Sequence, residues 1–207
     1  MAIILSIETA TPVCSCALLQ DGEVIMNNES HKGQSHSTLL GVFVHDIMNH
    51  VRNSNLKLDA IAISNGPGSY TGLRIGVSEA KGLSYGLGIP MIAIPTPHIM
   101  ATIIKDKVDE GALLCPMIDA RRMEVYATIL DKSLNVIRKT SADIVDANSY
   151  IDLLETNKVA FFGNGSEKCK EVITHHNAIF IEDINPLASA MGVLAEKAFS
   201  EKDFVDS

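Results

Sequence analysis

The groups of this sequence that could do chemistry are two carboxylates closing apolar runs, one glycine-rich turn, and scattered hydroxyls, thiols and imidazoles. Glu8 closes Ile3-Ile4-Leu5-Ser6-Ile7, and Asp119 closes Leu114-Cys115-Pro116-Met117-Ile118. Carboxylates at the strand ends of a two-lobed nucleotide-binding fold would hold magnesium phosphate. The same side chains serve equally well to hydrogen-bond the turn that follows each strand. The stretch Asn65-Gly66-Pro67-Gly68-Ser69-Tyr70-Thr71-Gly72-Leu73-Arg74-Ile75-Gly76 lies between the β-like run Ala60-Ile61-Ala62-Ile63-Ser64 and a segment of helical spacing. Such a turn either cradles an anion on free N–H groups at a helix N-terminus or packs a strand and a helix unusually close.

The spacing of the glycines argues for packing. Gly66, Gly68 and Gly72 read Gly-x-Gly-x-x-x-Gly, one residue too long for a dinucleotide fingerprint, and residues 91–96 offer no acid to hold a ribose. Lys81 lacks the preceding glycines of a Walker A loop. The turn, with Arg74 just beyond it, is therefore expected to set the approach of a helix, and a phosphate contact there is the minor reading. Gly82-Leu83-Ser84-Tyr85-Gly86 matches a nucleophile elbow, but Ser84 closes a helix instead of opening one, so the match is read as coincidence. None of the seven histidines stands four residues from another as a helical metal pair requires, so no metal site is expected. Arg121 and Arg122 suit either an anion or an ordinary surface ion pair.

The elements that must position these groups follow from periodicity. Strands are expected at residues 3–7, 13–19 and 23–27, with Gln20-Asp21-Gly22 as a hairpin turn and 28–35 as a loop. From Ser37 a helix carries Leu40, Val44, Ile47 and Val51 on one stripe, widened by Phe43 and Met48. A second helix over 72–85 puts Leu73, Val77, Ala80 and Ser84 on one side, while Gly76, Ala80 and Gly82 flatten part of its surface for a close neighbour. A strand at 91–94 and a helix over 97–105, capped by Thr96 before Pro97, complete this half.

The chain then begins again. The stretch from Leu114 repeats the pattern from Ile3, Asp119 answering Glu8, and Glu124-Val125-Tyr126-Ala127-Thr128-Ile129-Leu130 answers Val13-Cys14-Ser15-Cys16-Ala17-Leu18-Leu19. Helices near 149–155 and 166–174, strands at 159–162 and 178–181, and a last helix from Asn185-Pro186 to about Ser200 finish the second half. Two ββαβα-like lobes with a cleft between them result, 1–106 and 107–207.

Composition narrows the partners. With 207 residues, 46% hydrophobic and 20% charged, the chain can bury a core in each half. A formal charge of −8 without a Lys/Arg cluster argues against gripping a nucleic-acid backbone directly. Cys14, Cys16, Cys115 and Cys169 form no Cys-x-x-Cys pair and are read as core thiols of a reducing, cytoplasmic compartment. The N-terminus reads as a strand, not a signal peptide, and no stretch is long enough to span a membrane.

Ile7-Glu8-Thr9-Ala10, His36-Ser37, the glycine block from Gly66 to Gly76 and Ile118-Asp119-Ala120-Arg121-Arg122-Met123-Glu124-Val125-Tyr126 together closely resemble the TsaB (YeaZ) family over nearly the whole chain. The resemblance implies an actin/hexokinase-like fold of two related lobes. It also implies a non-catalytic partner of a TsaD-like subunit, the enzyme that places threonylcarbamoyl on adenosine 37 of tRNA and carries the metal-binding histidines missing here. A TsaE-like ATPase as a further partner, self-association when alone, and only indirect contact with tRNA are implied as well. In this family the first-lobe helices form the partner surface, which assigns Leu40, Val44, Ile47, Leu73, Gly76, Val77 and Ala80 to it. ATP or ADP with magnesium would sit at the partner contact. Family members continue past the last helix with a Glu-Pro-x-Tyr-Leu-Arg-like segment, whereas the sequence given reaches Ser207 first, which leaves the contacts of that tail an open question. From the enzyme class, the competing readings are an ATP-dependent phosphotransferase or ATPase using Glu8 and Asp119, and a glycoprotease-like hydrolase.

Overall fold

The computed structural model describes residues 2–206 apart from Gln34. In the first half β1 (Ile3–Glu8), β2 (Cys14–Gln20) and β3 (Glu23–Ser30) form an antiparallel meander, so the third strand runs through most of what periodicity assigns to a loop. Asp21 and Gly22 both have positive φ (52° and 80°), the pair of left-handed residues that a tight hairpin turn needs. Helix α1 (His36–Asn53) leads to β4 (Ala60–Ser64), helix α2 (Tyr70–Leu87) to β5 (Met91–Ile94), and helix α3 (Thr96–Ile104) follows. The sheet order is β3-β2-β1-β4-β5, with β1, β4 and β5 parallel. One face packs Leu5, Ile7, Cys16 and Leu18 against Leu40, Val44, Ile47 and Val51 of α1, the stripe expected from spacing. Each such large apolar side chain contributes roughly 1.5–3 kcal/mol on burial.

The second half repeats the plan. Strands β6 (Leu113–Asp119), β7 (Glu124–Leu130) and β8 (Val136–Ile144) form the meander, helix α4 (Ile151–Leu154) is a single turn, and β9 (Val159–Phe162) and β10 (Ala178–Ile181) complete the order β10-β9-β6-β7-β8. Read from the other edge this is the order of the first sheet, which is the architecture of a duplicated actin/hexokinase-like fold. The repeat is offset at the first hairpin: Ile7 faces Cys16, but Ile118 faces Tyr126 and not Ala127. The helix expected over 166–174 is reduced to a 3₁₀ turn at Glu167–Cys169.

The division of the chain differs from a cut at 106/107. Residues Met1–Ile99 and Pro186–Ser207 form one compact unit and Met100–Asn185 the other. The cause is the second face of the first sheet. Its rows of Ile4, Ala17, Ala60, Ala62 and Ile92 are covered by Ala188, Met191 and Ala195, which lie on a 3₁₀ turn (Ala188–Met191) and on helix α5 (Gly192–Glu201). Two hydrogen bonds fix this return: Ser6 Oγ donates to Ala188 O (2.9 Å), and Ala188 N donates to Ser15 Oγ (2.9 Å). Val205 N then donates to Met91 O (2.9 Å) at the β5 edge. The last helix, expected as the end of the second lobe, therefore belongs to the first. All four cysteines are buried free thiols.

Candidate functional site

Glu8 ends β1 in the first unit and is fully buried. Ala10 N donates to its Oε1 at 2.5 Å, while Ser64, at the end of β4, stands beside the carboxyl without either Glu8 Oε2 or Ser64 Oγ gaining a well-aligned partner. Burial pushes the carboxyl up to about 7, against the lowering effect of the Ala10 and Thr9 backbone and of Ser64. The turn over Glu8 is closed by the glycine stretch, Ser69 N donating to Ala10 O (2.7 Å). A sealed carboxyl with one oxygen already engaged does not suit a magnesium ligand, and among the described residues no three His, Cys, Asp or Glu side chains converge. In this structure the Glu8 carboxyl holds the turn that follows β1.

Asp119 has the equivalent place at the end of β6 in the second unit and the opposite environment. It is exposed and paired with Lys168 Nζ, which also donates to Glu124 O (2.8 Å). Asp119 Oδ1 accepts from Arg121 N (3.3 Å), and Asp119 N donates to Asn164 Oδ1 (3.0 Å). Arg121 and Arg122 have positive φ (68° and 44°), so the 119–124 turn is a tight one tied down by its own carboxylate. Each carboxylate thus accepts a hydrogen bond from a backbone N–H of the turn that follows its strand.

The glycine turn packs, as its spacing suggested. A Cβ built on Gly68 would overlap Ala10 O, one on Gly72 would overlap Thr9 O, and one on Gly76 would overlap Thr9 Oγ1. Ser69 caps α2 by accepting from Gly72 N (3.2 Å), and Gly88 ends the helix in the left-handed region. Gly66, also at positive φ, receives Thr96 N on its carbonyl (2.9 Å).

This close approach overturns much of the expected partner surface. The buried stripe of α2 is Gly72, Gly76, Ala80 and Ser84, facing its own sheet, with Leu73 and Val77 half-buried. Leu40, Val44 and Ile47 are at most 4% exposed and form the core under α1. None of the five buried positions (Leu40, Val44, Ile47, Gly76 and Ala80) is free to touch another molecule. The outer face of α2 instead presents Tyr70 (69% exposed), Arg74, Ser78, Lys81 and Tyr85 (84% exposed) at helical spacing. Arg74 lies 4.4 Å over the Tyr70 ring. Gly82 and Gly86, exposed beside Ser78, have nothing within 4 Å of a built Cβ. Of the small residues expected to flatten α2 for a close neighbour, Gly82 lies on this outer strip, while Gly76 and Ala80 face the sheet.

Ser84, the serine of the elbow-like motif, is buried and donates to Ile89 O at 2.6 Å, where it serves the helix end. Between the first turns of α1 and α2 lies a pocket of about 560 Å³, lined by Thr11, His36, Ser37, Ser69, Thr71 and Gly72 among others. Thr11, His36, Ser37 and Thr71 were not singled out as site residues from the sequence. The signal was present: two helices whose first turns carry hydroxyl side chains.

The duplicated sheet order and a first-unit strand end closed over its own carboxyl define an actin/hexokinase-like two-lobe protein. The profile of the TsaD family, described as tRNA N6-adenosine threonylcarbamoyltransferase, matches residues 28–203. The tRNA threonylcarbamoyladenosine biosynthesis protein TsaB of Bacillus subtilis (strain 168) is 30% identical over 173 residues, 82% of this chain and 74% of that protein. Its counterpart in Escherichia coli (strain K12) is 40% identical over 123 residues, 59% of this chain and 52% of that one. YeaZ from Pseudomonas aeruginosa superposes with a TM-score of 0.79 at 22% identity, covering 100% of this chain and 96% of its own. The chain belongs to the TsaB (YeaZ) family, within the wider family that the TsaD profile describes. Among the described residues, no helix is long and apolar enough to cross a membrane.

Proposed function

We propose that this chain is a non-catalytic subunit that docks on a TsaD-like transferase through the outer faces of α1 and α2 and supports threonylcarbamoyl modification of adenosine 37 of tRNA. The observation that carries this reading is the exposed strip of α2. Tyr70 and Tyr85 offer large ring surface with few rotatable bonds, and Ser78, Gly82 and Gly86 let a facing helix come near. Two rings of this size exposed on one helix are costly to leave in water, and aromatic residues with Arg are the usual anchors of an interface. The sealed Glu8, the ion-paired Asp119 and the helix-bound Ser84 support the absence of catalysis by this chain itself.

The same face would serve a second copy of the chain when the partner is absent, and a TsaE-like ATPase would join through the assembled pair. A cytoplasmic setting fits the four free thiols and the tRNA substrate. The phosphotransferase reading finds no favouring observation.

The test mixes this chain with a TsaD-like subunit and the other components of the modification reaction and measures modified tRNA. Activity should require the chain, and Tyr85→Ala with Gly82→Leu should weaken association at least about tenfold at an unchanged melting midpoint. Full activity of the partner without this chain would overturn the proposal.

A further inference from the structure

We propose that the second unit carries a binding site for an aliphatic α-amino acid, held as a zwitterion between Arg138 and Asp152. The site lies within that unit and does not rest on the partner reading.

The duplication explains why a groove opens there. In the first unit the 18-residue α1 covers the antiparallel half of its sheet and reaches β3, where Asn28 Nδ2 donates to Phe43 O (3.4 Å). In the second unit the element at that place in the order is α4, a single turn of four residues, too short to cover β8 in the same way. An open groove of about 600 Å³ remains, its wall including Ile137, Ala142 and Ile144 of β8 and Leu153 of α4. Ile137 is 56% exposed and Ile144 80%, so the groove offers aliphatic surface to whatever enters it.

The same wall holds an arginine that is firmly positioned and only partly engaged. Arg138 Nη2 donates to Asp143 Oδ2, and its guanidinium lies 5.2 Å from the centre of the Tyr150 ring. Asp143 is fixed in turn, Oδ2 accepting from Tyr150 Oη (2.7 Å) and Oδ1 from Ser141 Oγ (2.7 Å). An arginine that serves a carboxylate alone commonly gives it two parallel N–H groups. Here the second oxygen is taken by Ser141, and Arg138 makes a single hydrogen bond. Its Nε is buried beyond the reach of a ligand, but Nη1 has no partner among the described residues and the side chain is 39% exposed. A planar cation held from behind, with an outer nitrogen free, suits the carboxylate of a ligand.

Charge decides between a plain carboxylate and a zwitterion. Asp143 cancels Arg138, and Asp152, exposed on the same wall, makes no ion pair among the described residues. The groove therefore keeps one uncompensated negative charge, which repels a simple anion. A ligand with an ammonium beside its carboxylate meets both charges, and its aliphatic side chain takes the isoleucine-lined wall.

Amide spectra of the full chain, recorded as L-leucine is raised to tens of millimolar at constant ionic strength, test the site. Saturable shifts are expected at Ile137, Ile144 and Leu153. Glycine, without the aliphatic group, and L-leucinamide, without the carboxylate, should each bind at least about tenfold more weakly. N-acetyl-L-leucine, without the ammonium, should bind at least about threefold more weakly. Arg138→Gln should weaken leucine about tenfold. Should that variant not fold, the exposed Asp152→Asn carries the test: leucine should weaken about threefold, while N-acetyl-L-leucine, with no ammonium to lose, should bind as before. Absence of saturable shifts, N-acetyl-L-leucine binding as tightly as leucine, or an Asp152→Asn variant that treats the two ligands alike would overturn the site.

Discussion

Replacing Glu8 with glutamine isolates what the burial of that carboxyl does to the fold. In the folded chain the group titrates at about 7 instead of 4.5, because desolvation disfavours the carboxylate more than Ala10 N and Ser64 favour it. The native state thus keeps its proton through a pH range in which the unfolded chain has lost it. Stability from this group is fully present below about pH 4.5 and is lost as pH rises through about 7. The interval of about 2.5 units corresponds to about 3 kcal/mol at roughly 1.4 kcal/mol per unit. Glutamine keeps the acceptor for Ala10 N, cannot ionise, and offers Ser64 Oγ an N–H donor. Urea unfolding of both proteins from pH 5 to pH 8 should give nearly equal stabilities at the acid end. The variant should gain steadily above pH 5, reaching an advantage of up to about 3 kcal/mol at pH 8. Taking the difference between the two proteins cancels the seven histidines, which titrate in the same range. A stability difference that does not change with pH would refute the reasoning, since it would mean that Glu8 ionises in the folded chain as freely as in the unfolded one.

Two further substitutions address the helix that follows the glycine turn. Gly72→Ala places a methyl against Thr9 O, a backbone atom that cannot rotate away, so the urea midpoint should fall by the equivalent of about 1–3 kcal/mol; an unchanged midpoint would show that the β1–β2 turn yields. Ser84→Ala removes the donor to Ile89 O and should cost about 1 kcal/mol. Wild-type Ser84 should also stay unlabelled by a serine-directed fluorophosphonate, and labelling at that residue would restore a nucleophile there.

Periodicity made α1 legible and α2 only half so, for one physical reason. Leu40, Val44, Ile47 and Val51 bury themselves because large apolar groups at helical spacing have nowhere else to go. On α2 the spacing set Leu73 and Val77 on one side with Ala80 and Ser84, whereas the sheet lies so near that only Gly72, Gly76, Ala80 and Ser84 fit against it. Small size is then the mark of the core side, and hydropathy does not record it. The return of α5 to the first sheet was hidden for a different reason. It rests on contacts between segments far apart in the chain, Ser6 and Ser15 with Ala188 and Met91 with Val205, which leave no local pattern. Glu8 and Asp119 were legible as strand-end carboxylates, but their burial and pairing were not, since each depends on a loop that folds over or beside it.

The small residues of α2 fall into two sets. Gly72, Gly76, Ala80 and Ser84 repeat every fourth residue, and so do Ser78, Gly82 and Gly86. At about 100° per residue, members two apart in the chain, such as Gly76 and Ser78 or Ala80 and Gly82, stand about 160° apart around the helix. The first row is spent on the Thr9 turn and the sheet, and the second is open to solvent. A substitution in the first row therefore acts through the fold, and its effect on any partner is indirect. One in the second row can change association while leaving stability within about 0.5 kcal/mol of wild type. Gly76→Val and Gly82→Leu form the discriminating pair. The first should unfold the chain at lower urea. The second should fold normally and associate poorly, and equal loss of stability in both would mean that the outer row is also bound within the fold.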